Sequence, residues 1–129
     1  MAYQVTHIDE AAEVERPYRD GDQPRHVASL TEALGLESSR ANVWRYPAGA
    51  RGRRHIEGAQ EEVFLVLDGV LTLALGEPPE MVELLAGSIA RVGTGTEIQV
   101  QNRTDAQVRL LIWGAPPTTG QAQILDDLP

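Results

Sequence analysis

Cysteine is absent from this chain of 129 residues, which excludes disulfide frameworks, thiol catalysis, iron–sulfur clusters and cysteine zinc sites together. Lysine is absent as well. All 11 basic residues are arginine, so neither a Schiff-base lysine nor a phosphate-loop lysine exists. Long apolar runs are missing too, since the longest, Val63–Leu67, falls far short of a membrane span. Positive charge is in deficit: 19 acidic residues against 11 basic ones give a formal charge of −8. Such a chain repels phosphate backbones and anionic lipid, so neither nucleic acid nor a membrane is an expected partner. The first residues carry no basic start and no apolar stretch, which argues against a secretory signal and for a cytoplasmic protein. No GxSxG elbow or phosphate loop occurs, and His7 and His26 are lone histidines in polar segments.

What is present is an ordinary globular composition, 42% hydrophobic and 23% charged, in a length that fits one domain. A chain this long buries roughly 65–70% of its unfolded surface and needs no metal or cross-link to fold. Residues 1–40 read as an N-terminal arm. Tyr3, Val5 and Ile8 suggest a short strand, Arg16–Pro24 a loop, and the spacing of Val27, Leu30, Ala33 and Leu34 before Gly35 a short helix over Val27–Leu36. From residue 41 to 114 the period changes to two. Strands are expected at Asn42–Tyr46, Glu62–Asp68, Val70–Leu75, Met81–Leu85, Ile89–Val92, Glu97–Gln101 and Val108–Trp113, separated by Gly, Pro and Asn turns. Residues 115–129 read as an irregular tail with an apolar contact through Ile124, Leu125 and Leu128. Short strands at this rhythm indicate a single all-β sandwich or barrel. The strand Glu62–Asp68 is apolar on both faces. Glu62, Phe64 and Val66 would line the interior, while Val63, Leu65 and Leu67 need a cover from a second sheet, the arm or another subunit.

Two motifs carry a resemblance. Gly49 is followed by five residues and His55; Glu57 comes two later, Glu62 after four more residues, and Gly69 after a further six. Gly87 is followed by five residues, then Gly93, Gly95, Ile98 and Asn102 at fixed intervals. Both patterns, in this order, resemble the paired motifs of the cupin superfamily, here as a small single-domain cupin with degenerate metal motifs. The resemblance implies a cupin-like β-barrel of the double-stranded β-helix or jelly-roll type. In the family pattern a second His stands where this chain has Glu57, a Pro where it has Gly93, and a third His where it has Ile98.

A metal-loaded cupin holds its ion with three His and one Glu at the barrel mouth. By position this chain keeps His55 and Glu62, offers Glu57 as a carboxylate, and has lost the fourth ligand at Ile98. Residues at i and i+2 of a strand share a face, so His55 and Glu57 should both look inward. Gln99 and Glu97 lie on the opposite face from Ile98 and should not replace it. Two readings follow. In one, His55, Glu57 and Glu62 weakly hold a divalent ion (Mn, Mg, Fe, Ni or Zn), with the oxygen-rich set favouring hard ions. In the other no metal is tightly held, His55 pairs with Glu62, and Glu57 sits near the solvent-facing rim.

The ligand pocket is expected to comprise His55, Glu57, Glu62, Phe64, Ile98, Trp44 and Arg53. Arg51, Arg53 and Arg54 read either as an anion clamp or as a solvated charge pattern; Arg53 shares the parity of His55 and is the one expected to point inward. Asn102 should cap a turn through its own side chain. The leading expectation is a small molecule bound in the barrel mouth without tightly held metal. The alternatives are an isomerase-, cyclase- or dioxygenase-like enzyme using Glu62 and His55, with the inward carboxylate beside Phe64, Val66 and Ile98 raised by desolvation, and a structural or partner-binding cupin. A homodimer is the expected assembly.

Overall fold

The computed structural model describes residues 2–118 and 122–129. Eleven strands are described: β1 (Glu13–Arg16), β2 (Arg25–Ser29), β3 (Arg40–Tyr46), β4 (His55–Glu57), β5 (Glu61–Asp68), β6 (Val70–Leu75), β7 (Glu80–Leu85), β8 (Ile89–Val92), β9 (Glu97–Gln101), β10 (Val108–Ala115) and β11 (Ala122–Ile124). They form two sheets, one ordered β1-β2-β3-β10-β5-β8 and the other β11-β4-β9-β6-β7, with every pairing antiparallel. This is the expected all-β jelly-roll.

Alternation decides what lies between the sheets. On β5, Phe64 and Val66 turn inward, where they meet Tyr46, Leu110 and Val108 of their own sheet and Leu71, Leu73, Ile98 and Val100 of the other. Phe64, Leu71, Leu73 and Leu110 are at most 1% exposed. Burying side chains of this size contributes about 1.5–3 kcal/mol each, which makes this layer the main source of stability. The outward residues of β5 are covered at one end only. Leu67 packs with Leu30, Ala41 and Val43 and with Ile8, Ala11, Leu34 and Leu36 from the arm.

Three local expectations need correction. The helix is α1, Leu30–Leu34, and the segment before it is β2, in which Val27 pairs with Trp44. Ser29 accepts a hydrogen bond from the Glu32 amide as N-cap, and Gly35 closes the helix at φ 64°. The helical spacing from Val27 therefore arose by coincidence, because a capping serine starts the helix after itself. Tyr3 and Val5 are exposed and outside any strand, and Ile8–Glu10 is a 3-10 turn. In the tail, Ala122–Ile124 adds to the edge of the second sheet.

Two motif residues have plain structural reasons. Gly69 joins β5 to β6 at φ +82°, and a Cβ there would lie 2.6 Å from the Gln107 carbonyl oxygen. Asn102 is 1% exposed. Its Nδ2 donates to the carbonyls of Tyr46, Pro47 and Ala106, and its Oδ1 accepts from the Thr104 amide and hydroxyl.

Candidate functional site

Between the sheets, beyond the end of the packed core, a cavity of about 330 Å³ opens. That lies near the lower end of the range for small-molecule sites, roughly 300–1,000 Å³. Parity places its walls. From β3 come Arg40, Asn42, Trp44 and Tyr46, from β5 Glu62 and Phe64, and from β10 Ile112 and Gly114. Gly114 is small for a reason, since a Cβ there would come within 2.6 Å of the Gln60 side chain, which also lines the cavity.

His55 and Glu57 enter from β4 and Glu62 from β5. Strand β4 is only three residues long and is held on both edges: Ile56 pairs with Glu97 of β9 and with Gln123 of β11. The strap carrying β11 is anchored beyond it. The Leu125 amide donates to the Arg54 carbonyl, and the Asp127 carboxylate accepts from Gln99 Nε2 at 2.7 Å and from Arg19 at 3.1 Å. Burial works against the Asp127 charge, but the Gln99 and Leu128 hydrogen bonds and the nearby Arg51 and Arg19 hold the carboxyl below its usual range. Gln99 accordingly faces away from the cavity and contributes nothing to it.

At the centre, the His55 Nδ1–H donates to the Arg53 carbonyl at 2.9 Å. That fixes the ring so that Nε2 faces Glu57 at 3.6 Å and Glu62 at 4.0 Å. Burial alone would lower the His55 pKa. The close approach of the Glu62 carboxylate, the hydrogen bond to the Arg53 carbonyl and the charge of Glu57 outweigh it, and the imidazole is held above its usual value. Glu57 is held above the usual carboxylate range, first by burial and then by repulsion from Glu62, with His55 and Arg40 opposing. The Glu57 side chain is 21% exposed, against 22% for His55 and 12% for Glu62.

The structure brings six of the seven expected pocket residues to the cavity wall: His55, Glu57, Glu62, Phe64, Trp44 and Arg53. Ile98 is not among the lining residues. It pairs with His55 across β4 and β9 and faces inward, but it is 1% exposed within the core layer; Val100 lines the cavity instead. Of the arginine cluster, Arg51 pairs with Asp127 and Arg54 with Glu77, so only Arg53 reaches the cavity. Tyr46, weighed with Trp44 as a pocket wall that could stack on a planar ligand, also lines the cavity. Arg25 and Arg40 went unread in the sequence. Arg40 shares the parity of Trp44, which was the available signal; Arg25 falls between the segments read as loop and as helix, so its parity was hidden.

One nitrogen of His55 and one oxygen each from Glu57 and Glu62 lie within 4.8 Å of one another, a spacing at which three side chains can share an ion. The cupin-domain family model matches residues 42–114, more than half of the chain. The chain belongs to the cupin family. Among solved cupin-fold structures, it is similar to a sugar phosphate isomerase from Silicibacter pomeroyi, at 26% identity and TM-score 0.78, covering 94% of this chain and 81% of that one. It is also similar to the polyketide cyclase RemF from Streptomyces resistomycificus, at 16% identity and TM-score 0.79, covering 97% and 87%. A third likeness is to a predicted oxalate decarboxylase from Thermotoga maritima, at 17% identity and TM-score 0.75, covering 88% and 99%. No curated protein matches the chain. As the donor set of a cupin metal site, one imidazole and two carboxylates fit a three-ligand hold on a hard divalent ion. The fourth position of the family pattern is taken by the buried Ile98, which leaves three donors in this group.

Proposed function

We propose that this cupin binds a small organic molecule in the cavity and moves a proton on it, with His55 as the acid–base group. The observation that carries the reading is the His55 arrangement: Nδ1 engaged by a backbone carbonyl, Nε2 aimed at two carboxylates inside a cavity. A general acid–base group works best with a pKa near the working pH, and an imidazole raised above its usual 6.5 is shifted toward neutral pH. As imidazolium, His55 is stabilised by Glu57 and Glu62 and can donate from Nε2; as neutral imidazole it accepts there. Glu62, the less exposed of the two carboxylates at 12%, orients the ring from the β5 side. Phe64 beside it keeps water from one flank. The likeness to the Silicibacter pomeroyi isomerase supports this reading, because isomerising a sugar phosphate moves a proton between neighbouring carbons. A divalent ion, when held by His55, Glu57 and Glu62, would polarise a ligand carbonyl as a Lewis acid.

The test needs no coupled assay. Small hydroxy-, keto- and phospho-compounds incubated with the protein in D2O should incorporate solvent deuterium at a carbon in at least one case. Incorporation should fall at least a hundredfold in His55→Ala. Incorporation unchanged in His55→Ala, or none with any compound that binds, would overturn the proton-transfer reading.

We further propose that the chain pairs with a second copy through the outer face of the β5 sheet. Val63 is paired with Trp113 and Leu65 with Ile89 on that face, and the arm covers only the Leu67 end. Trp113 is left 52% and Ile89 69% exposed. Light scattering should give twice the chain mass of 14.1 kDa, and Ile89→Glu should halve it. A wild-type monomer at micromolar concentration would refute the pairing.

A further inference from the structure

Arg25 lies at the start of β2, is 9% exposed, and lines the same cavity as His55. Its guanidinium carbon sits 4.9 Å from the Trp44 ring centroid and 5.8 Å from that of Tyr46. The two rings meet edge to face at 64° and form a corner that holds the guanidinium. Gly52 completes the seat: a Cβ there would lie 3.2 Å from Arg25 Nη1 and 2.8 Å from the Tyr46 hydroxyl. Thus the head group is positioned by cation–π attraction to two aromatic faces and by the space a glycine leaves, and not by an ion pair.

The charge itself lacks a counterion. Among the described residues no carboxylate lies within salt-bridge distance of Arg25, although nine other arginine–carboxylate or histidine–carboxylate contacts form elsewhere outside the His55 group. Its Nε is buried without a hydrogen-bond partner. The neighbouring phenol does not supply the missing charge. Burial pushes the Tyr46 pKa up, against the pull of Arg25, so Tyr46 stays neutral. A guanidinium does not give up its proton inside a protein, and a buried charge without a partner is unfavourable. Two more arginines, Arg40 and Arg53, line the cavity, and neither has a carboxylate within 4 Å among the described residues. The cavity therefore holds three arginines beside the two carboxylates of the His55 group.

We infer that Arg25, seated on Trp44 and Tyr46, is an oxyanion subsite, and that the ligand of the cavity is a small organic acid. Its carboxylate or phosphate lies on Arg25, and the rest of the molecule extends toward His55. A planar guanidinium with fixed orientation takes either oxyanion through two parallel hydrogen bonds. The inference rests on the proposed small-molecule cavity and names the class of ligand that the cavity takes.

The test reads Trp44. The chain has two tryptophans, and Trp113→Phe removes the exposed one, leaving Trp44 as the sole indole. Inorganic phosphate and acetate are titrated separately into this protein at constant ionic strength. Saturable change of Trp44 emission with either probe is expected; the probe that binds tells phosphate from carboxylate as the ligand's anionic group. Arg25→Gln should weaken that binding at least tenfold, and Arg25→Lys, which keeps charge but loses the planar fork, by a smaller factor. Circular dichroism checks that both variants fold, and the titration of the parent needs neither. No saturable change with either anion, or equal binding in Arg25→Gln, would overturn the subsite. Neutral glycerol, followed at the His55 ring proton by NMR, separates the two readings. Glycerol binding without an anion response overturns the Arg25 subsite alone, whereas silence from all three probes overturns the cavity reading as well.

Discussion

Replacing Glu62 by Gln keeps the shape of the side chain and removes one charge 4.0 Å from His55 Nε2. Two unit charges at that separation attract by about 1 kcal/mol in water and about 4 kcal/mol at the effective dielectric of partly buried protein sites. The pair lies between these limits, since the His55 and Glu62 side chains are 22% and 12% exposed. Losing that attraction should lower the His55 pKa in Glu62→Gln, because the carboxylate favours the charged imidazole. The neighbouring carboxyl should respond in the same direction, because Glu57 loses a repelling charge and its raised pKa relaxes downward. Both can be followed by NMR, and only three histidines need assignment. Stability carries the same sign. The folded-state pKa of His55 lies above the reference 6.5, so its contribution is fully present below that value. It is lost as pH rises through the folded-state pKa. Denaturant midpoints of the wild type should therefore decline over that window, and Glu62→Gln should flatten the decline. A His55 pKa at or below 6.5 in the wild type, or one unmoved by Glu62→Gln, would refute the electrostatic description of the site.

Other expectations concern the frame and the ion. Gly69→Ala should cost at least about 2 kcal/mol, because an L-residue is disfavoured at φ +82° and its Cβ would meet the Gln107 carbonyl; an unchanged thermal midpoint would contradict this. Asn102→Ala should cost about 2–3 kcal/mol by leaving buried carbonyls such as that of Tyr46 unpartnered, which urea unfolding can measure. Added Mn²⁺ should broaden the His55 NMR signal, come off on dialysis against chelator, and fail to bind His55→Ala. Stoichiometric metal surviving that dialysis would contradict a three-ligand site.

The barrel was legible because its strands alternate and its turns carry Gly, Pro and Asn at working positions. The jelly-roll reading followed from spacing that Gly69 and Asn102 preserve for reasons of backbone geometry and buried hydrogen bonding. Strand β1 escaped notice because all four of its residues are exposed and show no alternation. It is held by backbone pairing with β2 and by the Glu13–Arg45 ion pair. At the site, the spacing of the cupin motif brought His55, Glu57 and Glu62 together, and strand parity added Phe64, Trp44 and Arg53 to the same cavity. Parity could not show how deep each would lie, and Ile98, facing the right way, sits in the core layer below the cavity. Arg25 was out of reach for another reason. It fell between segments read as loop and helix, and its seat is made by the aromatic rings of Trp44 and Tyr46 on the next strand.

The central claim is that the cavity beside His55 is where this cupin meets its ligand. Saturation-transfer NMR of a panel of small organic acids, with the wild type and with Ile112→Trp, tests it most directly, because residue 112 lines the cavity and an indole there fills it. The account predicts that acids bind the wild type, compete with one another, and lose binding in the filled variant while the fold persists. Binding that survives the filling, or no binding to the wild type, would contradict it.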